Sequence, residues 1–499
     1  MYMNESNHWV APLPFHLPHN PLPNNRGQAV KRLNILRRTL QRKPEMAKHF
    51  VEFMQSMFTN KHAELAPPLQ PDEECWYLPI FGVYHPLKPG KIRVVFDSSA
   101  QYEGISLNDT LLRGPDLNNK LLGVLMRFRK EKVAVTVDVE QMFYCFKVRE
   151  DHQNFRRFLW FKDNDLSKEI TEYRMTVHVF GNSPSPAVAI FGIRRAADLG
   201  EEEYGREAKQ FVHRNFYVDD GLISVSSAAE AIGLLQKTKN MLAESNIKLH
   251  KISSNNHQVM EAFPTSDRAN DLKDLDLSVD PLPLQRSLGV SWSLETDCFV
   301  FQVSPDVRPF TRRGILSTVN SLYDPLGFVA PVTMQGKALV RELSSDQLDW
   351  DTSLPMEKEA QWKSWTTSLS DLREVQIHRP YVPVSMSSAS KREVIIFSDA
   401  STLAIAAVAY LRVVTVDGQC HVGYIMAKSK LAPYPAHTVP RLELCAGVLA
   451  VELAELITEE LDLNLTAVKF YTDNTTMIGL RTKDDICPLE HYDQQASGS

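Results

Sequence analysis

Asp219 and Asp220 stand side by side in Asn215-Phe-Tyr-Val-Asp-Asp-Gly-Leu-Ile-Ser224, between two short apolar runs. This pattern predicts a β-hairpin, with Asp220-Gly221 as the tight-turn dipeptide and the carboxylates presented at its tip. Most Asp-Asp-Gly hairpins are solvated turns, so the pair alone does not define a site. A third acid shifts the balance. Asp138 ends Val133-Ala-Val-Thr-Val-Asp138, a β-rich apolar run followed by the aromatic cluster Phe143-Tyr144. Three carboxylates on two neighbouring strands would make a cage for two divalent ions, an arrangement that activates a hydroxyl and stabilises a leaving pyrophosphate.

Groups suited to phosphate lie upstream. Arg93 sits inside the predicted strand Ile92–Asp97 and is flanked by Lys88 and Lys91. An arginine in a strand can be a satisfied edge charge; in this company it is also suited to grip a triphosphate, guanidinium binding bidentately and the lysines adding point charge. Phe180-Gly181-Asn-Ser-Pro-Ser-Pro186 precedes a helical run from Ala187 to Leu199. Small residues and prolines at a helix start allow close approach of another chain or ligand, the alternative being an ordinary loop and N-cap. Lys251 lies in the alternating run 247–252, and the late acids Asp399, Glu443 and Asp473 stand at two strand ends and a helix start. Singly, each of those three is a surface acid.

The elements that must position these residues follow in order. Five prolines predict a loop-like stretch over residues 1–25, a cut or linker. Helical spacing of Val30, Leu33, Leu36 and Leu40, then of Met46, Phe50, Phe53 and Met57, predicts two helices broken at Pro44. An acidic, proline-rich hinge covers 66–74. A short helix is expected over 118–129 and an amphipathic one over 228–243.

At 499 residues, two to four domains are expected, and 43% hydrophobic content supplies several cores. A net charge of −6 excludes a globally basic coat, so nucleic-acid contact would depend on local clusters. Two exist: Arg26, Lys31, Arg32, Arg37, Arg38, Arg42 and Lys43, and Arg127, Arg129, Lys130 and Lys132. Each is equally a solvated helix face. The six cysteines show no CxxC or zinc spacing and read as reduced thiols. With a polar opening and no apolar run of ~20 residues, the expectation is a soluble intracellular protein, cytoplasmic or nuclear, with no membrane partner.

The set Arg93-Val-Val-Phe-Asp-Ser-Ser, Thr136-Val-Asp138-Val-Glu-Gln-Met-Phe143, Phe180-Gly-Asn-Ser-Pro-Ser-Pro186, Tyr217-Val-Asp219-Asp220, Lys248-Leu-His-Lys251 and Leu288-Gly-Val-Ser-Trp292 occurs in the order of the reverse transcriptase motifs. It resembles the BEL/Pao LTR retrotransposon Pol polyproteins. The resemblance implies an α/β (α+β) chain: a right-hand polymerase with fingers, palm and thumb, followed by a connection region and a ribonuclease H-like module. The implied divisions are 1–74, linker and basic helices; 75–260, fingers and palm; 261–385, thumb and connection; 386–480, ribonuclease H-like; 481–499, a polar tail. Asp138, Asp219 and Asp220 would be the metal-binding triad, and Arg93, with Lys88 and Lys91, the triphosphate contact. Phe143 would be the steric gate against a ribose 2′-hydroxyl, with Gly181 and Lys251 completing the substrate site. Phe180 stands where many reverse transcriptases carry glutamine.

In this family Arg313 to Pro331, with Tyr323-Asp-Pro-Leu-Gly327, is sometimes labelled a peptidase. No Asp-Thr/Ser-Gly triplet occurs in the chain, so a thumb or connection module is the better reading. Asp399, Glu443 and Asp473 resemble the ribonuclease H metal ligands. The family's fourth carboxylate lies beyond the Asp473 strand, where this chain has the polar run Asp484 to Ser499, so a truncated module without template hydrolysis is expected. Two Mg²⁺ ions per site, with Mn²⁺ as substitute, dNTPs, an RNA template, a DNA primer and an RNA/DNA hybrid are implied. The rivals are a catalytically silent nucleic-acid-binding relic and a chain active only as a hydrolase.

Overall fold

The computed structural model describes residues 1–473 apart from 19–20, 86–87, 274–281, 304–307, 345–348 and 436, and apart from the side chains of residues 85, 88, 89, 91 and 344. The chain forms two units: Met1–Asn118, Val139–His213 and Leu235–Leu249 make the first, and Asn119–Asp138, Arg214–Leu234 and His250–Ser499 the second.

In the first unit, Leu33, Leu36 and Leu40 line the buried stripe of the helix Arg26–Arg42. Lys43 leaves helical geometry because it precedes proline, and Pro44 opens the helix Pro44–Thr59, where its fixed φ suits the first turn. Both helices close over Trp76, Phe96, Phe158 and Trp160. Beneath them lie the hairpin Ile80–His85/Lys88–Phe96 and the sheet of Ala63–Leu65, Ile170–Met175 and Arg157–Phe161. The expected loop over residues 1–25 is corrected: Tyr2–Met3 pairs with Trp9–Ala11, which runs parallel to Phe146–Val148. Trp9, Val10, Ala11 and Leu13 are buried. The prolines begin only at Pro12, leaving the apolar run before them free to pair.

The basic face of the first helix is partly occupied by protein. Arg26 pairs with Glu172 at 2.7 Å, Arg32 with Asp97 at 3.3 Å, and Arg37 donates to the carbonyls of Leu166 and Lys168. These three arginines tie the helix to neighbouring segments; Lys31, Arg38, Arg42 and Lys43 stay at the surface.

The second unit carries the four-stranded sheet Phe216–Tyr217, Asp220–Val225, Val133–Val139 and Leu249–Ser254, in that order. A second sheet contains the hairpin Leu284–Ser287/Val290–Ser293, whose turn residues Leu288 and Gly289 both have positive φ, then Cys298–Val300 and Gln376–His378. Helices Arg312–Ser321, Ala330–Ser344 and Glu359–Ser368 pack around Ile315, Val319, Trp362 and Trp365. Long strands Ala389–Ala400, Ala404–Thr415 and Cys420–Leu431 run antiparallel. The helix Val439–Glu460 then returns the chain to Ala467–Tyr471, parallel to the first of them. The crossover buries Leu442, Ala446, Leu449 and Leu453 against Val394, Ile396, Leu411 and Val413.

Arg127, Arg129 and Lys130 form no open basic patch, which corrects the second cluster expected from the sequence. Arg127 is 3% exposed and meets Glu460 at 2.7 Å, Lys130 donates to the Asp462 carbonyl, and Arg129 donates to the carbonyls of Arg379 and Ile425. Burial lowers the Arg129 guanidinium to about 10. They bind the helix Leu121–Arg127 to the module after residue 389, each buried charge meeting a carboxylate or carbonyl.

Candidate active sites

The carboxylate hairpin is built from its neighbours upward. Phe216 faces Gly221 and Tyr217 faces Asp220, so the turn is Val218-Asp219 and not Asp220-Gly221. Val218 has φ 57°, a left-handed conformation that a β-branched residue adopts only under strain. Gly221 lies within the strand for a packing reason: a Cβ there would come within 2.7 Å of the Phe216 ring and 2.9 Å of Val137. The next strand sets Asp138 directly opposite Asp220. Aligned carboxylates at adjacent strand ends, with Asp219 in the turn, concentrate negative charge. Burial first, then Asp219 and Asp138, push Asp220 up to about 7, with Lys251 opposing.

Asp138 responds in the other direction. Burial raises its pKa, but hydrogen bonds from His250 and Lys251 outweigh that and hold it below the usual value. His250 Nε2 lies 2.6 Å from Oδ1 and Lys251 Nζ 2.8 Å from Oδ2. Consecutive strand residues ordinarily point to opposite faces. Lys251 breaks the alternation with φ 51°, which lets both side chains reach one carboxylate. Lys251, expected to touch substrate, thus engages Asp138. His250, absent from the predicted site residues, joins it; its only trace in the sequence is its place in Lys248-Leu-His-Lys251.

The remaining predicted substrate residues lie in the first unit. Arg93 is exposed on Lys88–Phe96 with its guanidinium 5.2 Å above the Phe180 ring. Phe143, on the one-turn helix Met142–Cys145, meets the same ring edge-to-face at 4.5 Å. Gly181 has φ +85°, and its carbonyl accepts from Asn108 Nδ2 at 2.8 Å, so its role in the structure is to turn the chain after Phe180. The side chains of Lys88 and Lys91 lie outside the described residues.

A second acid cluster closes at the far end of the second unit. Asp399 ends its strand, Glu443 sits buried in the second turn of Val439–Glu460, and Asp473 follows Ala467–Tyr471 by two residues. Their ligand atoms lie within 4.8 Å of one another, a spacing one divalent cation can bridge. The expected fourth acid would follow Asp473, outside the described residues. The Tyr323-Asp-Pro-Leu-Gly327 loop packs on this module's sheet. Leu326 O accepts from Ala427 N and from the Tyr424 hydroxyl, both at 2.9 Å, while Asp324 accepts from the N–H groups of Phe328 and Val329. A Cβ on Gly327 would stand 2.3 Å from the Ala427 carbonyl oxygen, so only glycine seats this loop on the strand.

Comparisons agree with this architecture. The chain aligns with the foamy viral protease-reverse transcriptase dRH in complex with double-stranded DNA, at TM-score 0.56 and 15% identity, over 96% of this chain and 68% of that one. The foamy viral protease-reverse transcriptase with dsDNA gives TM-score 0.53, 15% identity and 97% and 84% coverage, and its complex with RNA/DNA hybrid 0.52, 15%, 94% and 51%. At such identity the likeness is one of fold: a mixed helix and strand chain of reverse transcriptase architecture carrying a ribonuclease H-like module. No curated protein matches the chain. Residues 311–474 match the Pao retrotransposon-like RNaseH-like domain. The match begins upstream of the Ala389–Ala400 strand and includes the 323–327 loop. Among the described residues, no helix is long and apolar enough to cross a membrane.

Proposed function

We propose that the chain is an RNA-directed DNA polymerase of a retrotransposon, extending a DNA primer on an RNA or DNA template, with a second centre that hydrolyses RNA in an RNA/DNA hybrid. The observation that carries the polymerase reading is the pairing of Asp138 with Asp220 across adjacent strands, Asp219 beside them in the turn. Burial first, and then the neighbouring acids, raise Asp220 to about 7, a site that a bound cation would relieve, and a two-residue turn held in strain fixes its geometry. Asp138, Asp219 and Asp220 would hold two Mg²⁺ ions, which, when bound, supply activation of the primer 3′-hydroxyl and charge stabilisation at the departing pyrophosphate. His250 and Lys251 keep Asp138 ionised and oriented. Arg93 offers the fork that suits the triphosphate, and Phe143 the wall that excludes a 2′-hydroxyl.

The hydrolytic reading departs from the expectation of a module without template hydrolysis and rests on a different observation, the convergence of Asp399, Glu443 and Asp473. These would hold Mg²⁺ or Mn²⁺ for attack of water on a phosphodiester. In domain terms we assign 75–260 to fingers and palm, 261–385 to thumb and connection, and 386–480 to the hydrolytic module. The test is primer extension on poly(rA)/oligo(dT) with Mg²⁺. The intact chain should incorporate dTMP and Asp219→Asn should not; a wild-type chain that incorporates nothing with either Mg²⁺ or Mn²⁺ would refute the reading.

A further inference from the structure

We propose that Phe180 is a positioning residue of the nucleotide pocket, a single ring that sets the sugar gate and the triphosphate grip together. The inference rests on the polymerase reading. Phe143 is only 6% exposed, so its ring is placed by what packs against it, whereas Phe180 is 42% exposed. The two rings meet at 4.5 Å and 83°, the edge-to-face geometry in which a positive edge points into a negative face. The Arg93 guanidinium lies 5.2 Å from the same Phe180 ring, within cation–π range. One aromatic side chain therefore braces the gate residue on one side and restrains an otherwise flexible exposed arginine on another. A glutamine or leucine at this position would lack the ring quadrupole both contacts use.

The Phe180 ring is itself held from behind. Gly181 takes the left-handed turn, Asn108 Nδ2 donates to the Gly181 carbonyl at 2.8 Å, and Asn108 Oδ1 accepts from Ser183 N–H at 2.9 Å. Arg156, fully buried, donates to Asn182 Oδ1 at 3.0 Å. A ring on so braced a loop can transmit position, so loss of Arg93 stacking and loss of sugar selection should occur together when Phe180 is changed.

The experiment measures steady-state kcat and KM for dTTP and UTP on poly(rA)/oligo(dT) with wild type, Phe180→Leu, Phe180→Tyr, Arg93→Ala and the Arg93→Ala/Phe180→Leu double variant. Phe180→Leu should raise the dTTP KM roughly threefold to tenfold with kcat little changed, the scale of one lost cation–π contact. It should also lower the dTTP-to-UTP preference by about tenfold. Phe180→Tyr, which retains the ring, should restore both. In the double variant the KM should rise scarcely beyond that of Arg93→Ala, because the two residues act as a unit. Additive KM effects, or an unchanged sugar preference in Phe180→Leu, would overturn the proposal while leaving the polymerase reading intact. A wild-type chain that extends no primer would overturn both.

Discussion

Replacing Asp220 by asparagine should stabilise the metal-free protein while it destroys catalysis. Asp220 is displaced from 3.8 to about 7, with burial the largest cause and the charges of Asp219 and Asp138 next. An acid with a raised folded pKa contributes stability that is whole below its unfolded pKa and is lost as pH rises through the folded one. The loss therefore develops between about pH 4 and pH 7. Three units correspond to about 4 kcal/mol as a ceiling, and the partial exposure of the group reduces this to roughly 1–3 kcal/mol. For a unit of this size that is a rise of roughly 2–10 °C in Tm. Thermal unfolding in EDTA at pH 8 and pH 5, followed for the second unit by hydrogen exchange, is the assay. Asp220→Asn should melt higher at pH 8 and show a much smaller advantage at pH 5, and millimolar Mg²⁺ should narrow the pH 8 gap by stabilising wild type. An asparagine variant that melts no higher at pH 8, or keeps the same advantage at pH 5, would refute the electrostatic account of the cluster.

Three other outcomes follow from the packing. Phe143→Ala should admit ribonucleotides while largely preserving deoxynucleotide use; an unchanged ratio of the two kcat/KM values would remove Phe143 as the gate. Arg127→Ala should cost about 3–5 kcal/mol in urea unfolding, since it leaves buried Glu460 without its 2.7 Å partner, and the Arg127→Met/Glu460→Leu pair should recover most of that loss. Gly221→Ala should cost about 1–3 kcal/mol by forcing the Phe216 and Val137 side chains apart, and should weaken incorporation through Asp220, which the same strand positions.

Elements with strong local patterning were legible in the sequence. Val133-Ala-Val-Thr-Val-Asp138 is a buried strand of β-branched residues, and the helix expected over 228–243 is Ala228–Ala243. Break and cap chemistry at Pro44 was equally readable because it is local. What pairing across long sequence separations decides was not. His250 reaches an acid 112 residues away only because Lys251 adopts a left-handed backbone inside a strand, which no alternation pattern announces. The two-residue turn at Val218-Asp219 was missed because Gly221 imitates a turn glycine while serving close packing. Arg127 and Arg129 look like a surface cluster, yet their partners are supplied by Glu460, Arg379 and Ile425, far along the chain. The three late acids gave strand ends and a helix start, but only the crossover helix brings Glu443 within reach of the other two.

The central claim, two separate metal-dependent centres on one chain, is tested most directly on a single gel. A 5′-labelled DNA primer annealed to a differently labelled RNA template is incubated with Mg²⁺, dNTPs and wild type, Asp138→Asn or Asp399→Asn. Wild type should lengthen the primer and shorten the template. Asp138→Asn should lose at least about a hundredfold in extension, near 2.7 kcal/mol on the transition-state scale, and still cut the RNA; Asp399→Asn should extend and leave the RNA whole. Extension that survives Asp138→Asn, or cutting that survives Asp399→Asn, would contradict the account.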